Sequence, residues 1–175
     1  MALAVIAYPK LSKSDYQFIQ EFRKLNDPLL YTVVEPHVSF VFPVTGISEE
    51  DFATEIIKQS KGCRCFNFMI RCAVVNKDSF LDYSHTLLVP DEGFSHIVKL
   101  HDKLYDGILI KERRLDIDYI PHIGMGTSKD IQQCKVLADK LNDSQFEIKG
   151  YIDELTIVRF ENNVIENLRT IPLGM

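Results

Sequence analysis

Two short segments, each with a histidine after a proline, carry the residue types best suited to chemistry. The segments are Glu35-Pro36-His37-Val38-Ser39-Phe40 and Ile120-Pro121-His122-Ile123-Gly124-Met125. Both follow the order Pro-His-apolar-small-apolar and lie about half the chain apart, which indicates an internal duplication. Imidazole titrates near neutrality, so two histidines at one phosphodiester can act as general base and general acid.

Strand alternation decides which of these side chains share a face. Successive side chains of a strand point to opposite faces, so His37, Ser39 and Val41 should point one way, and Val38, Phe40 and Phe42 the other way. The corresponding positions of the second segment are His122, Gly124 and Gly126. If a pseudo-twofold relates the halves, both histidines reach one cleft. A hydroxyl two residues after its histidine can bind a non-bridging phosphate oxygen, and the second segment lacks one because glycine occupies that position.

The paired motifs and the strand-helix-strand setting of each resemble the His-x-Thr/Ser-x signatures of the two-histidine (2H) phosphoesterases, which are LigT-like or 2'-5' RNA ligase-like. The resemblance covers nearly the whole chain. His37-Val38-Ser39-Phe40 matches the pattern, whereas His122-Ile123-Gly124-Met125 departs from it at Gly124. The resemblance implies a metal-independent phosphodiesterase, without cofactor, that acts on 2',3'-cyclic or 2'-5' phosphodiesters of RNA ends or small nucleotides. His37 and His122 are then the catalytic residues.

The same resemblance gives a substrate-binding set, which consists of Ser39, Gly124, Phe40, Met125 and Thr127. Three interpretations of Gly124 stay open: a degraded site, a site widened for a bulkier substrate, or a site whose lost donor is replaced by a backbone N–H, Thr127 or Ser128. A lost hydrogen bond to a charged group is worth about 1.5–3 kcal/mol, or one to two decades in rate.

Other hypotheses remain beside the enzyme. The fold could be a catalytically weak or inactive module that binds nucleotides or RNA ends. Alternatively, the repeat could be a structural duplication in a partner-binding α+β domain, with both histidines merely hydrogen-bonded in strands. A concave site holding both histidines distinguishes the first two hypotheses from the third.

The elements around the motifs predict an α+β fold with mostly antiparallel sheet. Strands are predicted at residues 2–8, 31–42, 64–76, 85–89, 118–126, 146–161 and 164–171. Helices are predicted after Ser12 or Ser14 with Phe18, Phe22 and Leu25 on the apolar side, after the capping pair Ser48 and Asp51, around residues 94–104, and over residues 129–142. We expect a bilobal, pseudo-twofold domain over residues 1–175, in which two intertwined lobes line a central cleft and helices pack outside.

Composition and net charge limit the kinds of ligand that the protein can bind. Hydrophobic residues at 46% and charged residues at 26% are typical of a soluble globular protein, and 175 residues suffice for one folding unit. The net charge of −5 argues against duplex DNA but permits an RNA end or a small phosphate ester. The apolar start lacks a basic leader, and no apolar run reaches the roughly 20 residues of a membrane helix, so we expect a cytoplasmic monomer.

The remaining candidate residues receive ordinary roles. The basic cluster Lys111, Arg113 and Arg114 is interpreted as a solvated loop, with a nucleotide phosphate contact as the alternative. Structural or surface roles are expected for His85, His96 and His101, and mainly core packing for Tyr8, Phe40 and Tyr119. The cysteines show no zinc-site spacing; they are Cys63, Cys65, Cys72 and Cys134.

Overall fold

Strands and helices follow one another in similar order in the two halves of the chain. The computed structural model describes residues 1–79 and 81–174. The strands of these residues are β1 (Ala2–Ala7), β2 (Lys10–Leu11), β3 (Val38–Val44), β4 (Phe66–Lys77), β5 (Ser84–Glu92), β6 (Ile123–Ser128), β7 (Ile148–Ile152), β8 (Glu154–Glu161) and β9 (Val164–Pro172). The helices are α1 (Lys13–Asn26), α2 (Glu49–Ser60), α3 (Phe94–Leu104) and α4 (Ile131–Asp143), with a 3₁₀ helix at Gly107–Glu112.

The strands form two sheets, in the orders β3-β1-β8-β9 and β2-β7-β4-β5-β6. Every pairing between these strands is antiparallel. The two strands that follow the histidine motifs, β3 and β6, each lie at one edge of their sheet. The predicted α+β fold, with mostly antiparallel sheets and a duplicated arrangement, is confirmed.

A continuous core joins the two sheets. Val5 and Phe40 from the first sheet belong to the same buried cluster as Ile70 and Leu88 from the second. Burial of such side chains, at about 25 cal/mol per Å² of apolar surface, is the main stabilising term of the fold. The edge strands that carry the motifs are therefore held by one packed interior.

Helix α1 buries a different face from the one predicted. Phe18 and Leu25 are 36% and 81% exposed, whereas Ile19 and Arg23 are 0% and 2% exposed. The predicted N-cap is correct, because the Ser12 hydroxyl accepts a hydrogen bond from a first-turn amide. The predicted apolar face is wrong for Phe18 and Leu25, whereas Phe22 is half-buried and packs against the core. The prediction missed Arg23 because it assumed that only apolar side chains point inward.

Arg23 is buried because the following loop surrounds its guanidinium with acceptors. It forms an ion pair with Asp27 at 3.2 Å and donates to the carbonyls of Leu30 and Val34. The chain curls around this cation over residues 28–33 instead of extending, and the strand predicted at residues 31–42 begins only at residue 38. A buried charge is tolerated when it is paired and hydrogen-bonded in this way.

Two further strand predictions also change at their ends. The strand predicted at residues 118–126 covers Ile123–Ser128 instead, since the carbonyl of Ile120 is bonded by a side chain rather than by a strand. The segment predicted as one strand at residues 146–161 is β7 and β8, which belong to different sheets. The predicted Ser48–Asp51 cap of α2 is confirmed. No helix of the described residues is long and apolar enough to span a membrane.

Candidate active site

The two motif histidines occupy equivalent places, each one residue before an edge strand. His37 precedes β3, and His122 precedes β6. Both line a single cleft of about 420 Å³, together with Ser39 and Gly124. The structure therefore brings together four of the residues that the sequence singled out, in a cavity large enough for a nucleotide-sized ligand.

The backbone orients both imidazole rings in the same way. His37 Nδ1 lies 2.9 Å from the carbonyl oxygen of Glu35, and His122 Nδ1 lies 2.6 Å from that of Ile120. A carbonyl only accepts, so each ring carries a proton on Nδ1 and the neutral ring has its lone pair on Nε2. Each carbonyl lies two residues before its histidine. The duplicated motif thus fixes the tautomer that a general base needs at both positions.

The cleft lowers the pKa of both histidines. Burial lowers the pKa of His37 to about 4, the positive charges of His122 and Arg23 act in the same direction, and the Glu35 carbonyl opposes them. Burial and then the neighbouring His85 lower the pKa of His122. Both shifts favour the neutral ring, and a phosphate anion bound beside the rings favours the protonated form.

Packing does not require a glycine at position 124, where the family motif has Thr or Ser. A Cβ atom added to Gly124 has no heavy atom within 4 Å, so the position opens on free space. Gly126 differs, because its Cβ would lie 3.1 Å from the carbonyl oxygen of Asn26 at the end of α1. Close approach of α1 explains Gly126, whereas a side chain with a hydroxyl would fit at Gly124.

Within the first motif, Ser39 lies in the cleft and Phe40 does not. Phe40 is 0% exposed and belongs to the core, on the opposite side of β3 from His37. Its predicted contact with substrate is therefore corrected to a packing role. A bulge against β1, where β3 carries one extra residue, then changes the alternation, so that Phe42 rather than Val41 lines the cleft.

The remaining candidates of the second motif are engaged with protein groups. Met125 borders the cleft but is 0% exposed within the core. Thr127 also borders it, and its hydroxyl donates to Asp27 Oδ1 at 3.3 Å. Ser128 lies outside the cleft and hydrogen-bonds to Gln133. Neither hydroxyl proposed as a substitute for the missing donor is free to act as one.

Comparisons with known proteins identify the family. A model of the 2'-5' RNA ligase superfamily matches residues 11–164. The chain belongs to this superfamily. The resemblance inferred from the two motifs is thereby confirmed, although a search of curated proteins gives no match.

Solved structures share the superfamily fold over their whole length. Escherichia coli LigT, in its complex with 3'-AMP, is 12% identical, covers 99% of this chain and 98% of its own, and has a TM-score of 0.64. TT0787 of Thermus thermophilus is 12% identical, with 99% of both chains covered and the same TM-score. Usb1 of Kluyveromyces marxianus is 11% identical, with 98% of both chains covered and a TM-score of 0.57.

A third histidine, which the sequence did not place in the site, borders the cleft of this 2'-5' RNA ligase superfamily member. His85 lies on β5, and its Nε2 is 2.7 Å from Asp78 Oδ2. Strand β5 pairs with β6, so that His85 is opposite Thr127 and Leu87 is opposite Gly124. Strand alternation in the sequence could have predicted that His85 and Leu87 share one face of β5. Only the pairing of β5 with β6 shows that this face lies next to the second motif.

Aromatic side chains satisfy the free edge of β3. Tyr119 donates to the Ser39 carbonyl at 2.7 Å, and the Tyr105 hydroxyl accepts from the Phe42 amide at 2.8 Å. His101 Nδ1 also lies 2.8 Å from the Phe40 carbonyl. His101 is 5% exposed, so its predicted surface role was wrong. These side chains replace a neighbouring strand and hold the first motif in place.

The described part of the cleft lining carries acidic rather than basic side chains. Among the described residues, the lining contains no lysine or arginine, but it contains Asp27, Asp78 and Asp118. The predicted basic cluster lies elsewhere, with Arg113 paired to Asp102 and Arg114 hydrogen-bonded to Asp116. No group of three or more His, Cys, Asp or Glu in the described part of the chain could hold a metal ion.

Proposed function

We propose that this chain is a metal-independent phosphodiesterase for 2',3'-cyclic or 2'-5' phosphodiesters of RNA ends or small nucleotides. The observation that carries the proposal is the matched pair of Nδ1–carbonyl hydrogen bonds at His37 and His122 in one cleft. E. coli LigT, which shares the fold, has crystal structures with 3'-AMP and with phosphate, which supports a nucleotide-sized ligand here.

In the proposed reaction, one histidine activates water and the other protonates the leaving group. His37 Nε2 takes a proton from water as the water oxygen bonds to phosphorus. The bond between phosphorus and one ribose oxygen breaks, and protonated His122 Nε2 gives its proton to that oxygen. The products are a phosphomonoester and a free hydroxyl, and proton exchange with solvent restores both rings.

The environments of the two rings support this assignment. The low pKa of His37 keeps that ring neutral at pH 7, as a base requires. His122 must be protonated, and the negative charge of the bound phosphodiester favours that form. Ser39 borders the cleft beside His37 and can donate to a non-bridging oxygen as charge develops there. In the opposite direction, or with the other product isomer, the two roles exchange.

A second candidate function is binding of a nucleotide or RNA end without turnover. Gly124 favours it, because the second motif supplies no hydroxyl to the phosphate. Catalysis needs charge stabilisation at that point more than binding does, since only interactions that strengthen in the transition state accelerate the reaction. This candidate predicts tight association with phosphodiesters and a rate near background.

Hydrolysis of a 2',3'-cyclic nucleotide between about pH 5 and 9, with and without EDTA, tests the proposal. Loss of either His37 or His122 by alanine substitution should lower kcat by roughly 10²–10⁴-fold, the usual contribution of a general acid or base. His96→Ala is the matched control, because His96 stacks on Phe66 outside the cleft.

The outcomes separate the two candidates. A rate that EDTA leaves unchanged and that falls in both active-site variants, but not in His96→Ala, supports the two-histidine mechanism. Binding without turnover in the wild-type protein favours the binding module instead. A rate that depends on added metal would contradict the proposal.

A further inference from the structure

His85 lies on the strand next to the incomplete second motif and lines the same cleft. On the cleft side of β5, His85 lies two residues from Leu87, which pairs with Gly124 of β6. His85 itself is opposite Thr127, and a register shift adds one residue to β6 between the two pairs, so Gly124 lies three residues from the partner of His85. His85 and Gly124 both line the cleft with His122. The space that a side chain at position 124 would occupy is empty of protein atoms.

Asp78 holds the His85 ring by one nitrogen only. Asp78 Oδ2 lies 2.7 Å from Nε2, and among the described residues the ring has no other hydrogen-bond partner. The carboxylate itself is fixed in the turn between β4 and β5, where Asp78 Oδ1 accepts from the Leu81 amide at 2.7 Å. His85 is only 17% exposed. The ring is therefore oriented by a carboxylate on one side, and its Nδ1 remains available for a ligand.

The hydroxyls that follow the second motif do not supply a donor near His122. Thr127 and Ser128 use their hydroxyls on Asp27 and Gln133. The described lining has no lysine or arginine to meet a phosphate anion. Both ring nitrogens of an imidazolium are donors, so one can donate to the Asp78 carboxylate at Nε2 and the other to a phosphate oxygen at Nδ1.

We propose that His85 is a substrate-binding residue that donates from Nδ1 to a non-bridging oxygen of the phosphodiester, in place of the hydroxyl missing at Gly124. This inference rests on the proposed function for its substrate class. It gives the site a donor from a neighbouring strand in place of one from the motif strand. A hydroxyl introduced at position 124 should therefore be able to replace the His85 donor.

A cycle of variants tests this substitution with a 2',3'-cyclic nucleotide as substrate. His85→Ala should lower kcat/KM by about 10- to 100-fold, the effect of one charged hydrogen bond. Gly124→Thr should restore most of that loss in the His85→Ala background while changing the wild-type rate much less. Asp78→Asn should cause a smaller loss, because the ring stays in place but is less firmly oriented. Thermal unfolding of each variant identifies changes caused by misfolding.

Binding of inorganic phosphate gives a second measurement, independent of turnover. Wild-type protein should show a change of the His85 Nδ1 resonance in ¹H–¹⁵N spectra on phosphate addition, and His85→Ala should bind phosphate at least about tenfold more weakly. If the wild type binds phosphate through His85 but hydrolyses nothing, the proposed function fails and the His85 inference holds. Unchanged kcat/KM in a folded His85→Ala of an active enzyme overturns the inference, and so does unchanged phosphate binding.

A folded variant with a polar side chain gives a further control. His85→Asn keeps a neutral N–H donor near the position of Nδ1, so its loss should be smaller than that of His85→Ala. Equal losses in the two variants, with no rescue by Gly124→Thr, would show that His85 stabilises the strand rather than the phosphate.

Discussion

The hydroxyl of Tyr119 donates a 2.7 Å hydrogen bond to the backbone carbonyl of Ser39. Tyr119 lies three residues before His122, and Ser39 lies two residues after His37. One hydrogen bond therefore joins the two motifs, although 80 residues separate its partners. Burial raises the pKa of Tyr119, so its hydroxyl stays protonated and remains a donor. We expect the spacing of the two histidines to depend on this contact.

Tyr119→Phe should weaken both stability and turnover. The substitution leaves the Ser39 carbonyl without its donor, which costs about 1–3 kcal/mol of unfolding free energy when the group is buried. A shift of about 1 Å in a reacting group can cost up to about 100-fold in rate, so kcat should fall more than KM rises. Denaturant unfolding and steady-state kinetics with a cyclic nucleotide measure the two effects.

Tyr83→Phe is the control for that prediction. Tyr83 lies in a separate groove, under the ammonium group of Lys129, and its hydroxyl has no hydrogen-bond partner among the described residues. It should unfold and react like the wild type. Equal behaviour of the two phenylalanine variants would mean that the Tyr119–Ser39 bond does not position the site.

Stability should fall as the pH is lowered from about 6.5 to about 4. The pKa of His37 is lowered from 6.5 to about 4 in the folded protein, so in this window the unfolded chain binds a proton that the folded chain does not. Acid then favours the unfolded state. His37→Gln should flatten this part of the curve and leave the curve above pH 8 unchanged. Urea unfolding at intervals of half a pH unit provides the test, and a parallel slope in both proteins would refute the assignment.

The two glycines of β6 should respond differently to alanine. Gly124→Ala adds a Cβ where no heavy atom lies within 4 Å, so the free energy of unfolding should change little. Gly126→Ala brings a Cβ to 3.1 Å from the Asn26 carbonyl, which should cost about 1–3 kcal/mol as α1 is pushed away. At this chain length that lowers Tm by about 2–4 °C per kcal/mol. Calorimetry of the pair compares them directly, and equal melting temperatures would contradict the packing argument.

Arg23→Met should be strongly destabilising. The change leaves the carboxylate of Asp27 buried without its cation and frees the carbonyls of Leu30 and Val34. Breaking a buried ion pair from one side costs about 3–5 kcal/mol. Lys24, the exposed neighbour of Arg23, gives the control. The free energy of unfolding of Lys24→Met should lie within about 0.5 kcal/mol of the wild-type value. A loss below about 1 kcal/mol for Arg23→Met would show that the loop before His37 does not depend on this cation.

Local patterns in the chain were enough to find the motifs and the fold class. Strand alternation correctly put His37 and Ser39 on one side with Phe40 on the other, because it follows from backbone sterics within a few residues. The Ser48–Asp51 cap was recognisable for the same reason, since both partners lie in one turn. The repeated Pro-His motif predicted one shared cleft, and both histidines line it.

Contacts between distant segments decided the rest. The pairing of β5 with β6 brings His85 into the same cleft as Gly124, and no periodicity along the chain encodes which strands pair. The bulge in β3 exchanged Val41 for Phe42 at the cleft. Arg23 is buried because Asp27 and the carbonyls of the loop after α1 supply its acceptors, and a helical pattern does not predict how that loop folds. Register and the satisfaction of buried polar groups depend on partners that meet only in the folded chain, so they become visible only in the tertiary structure.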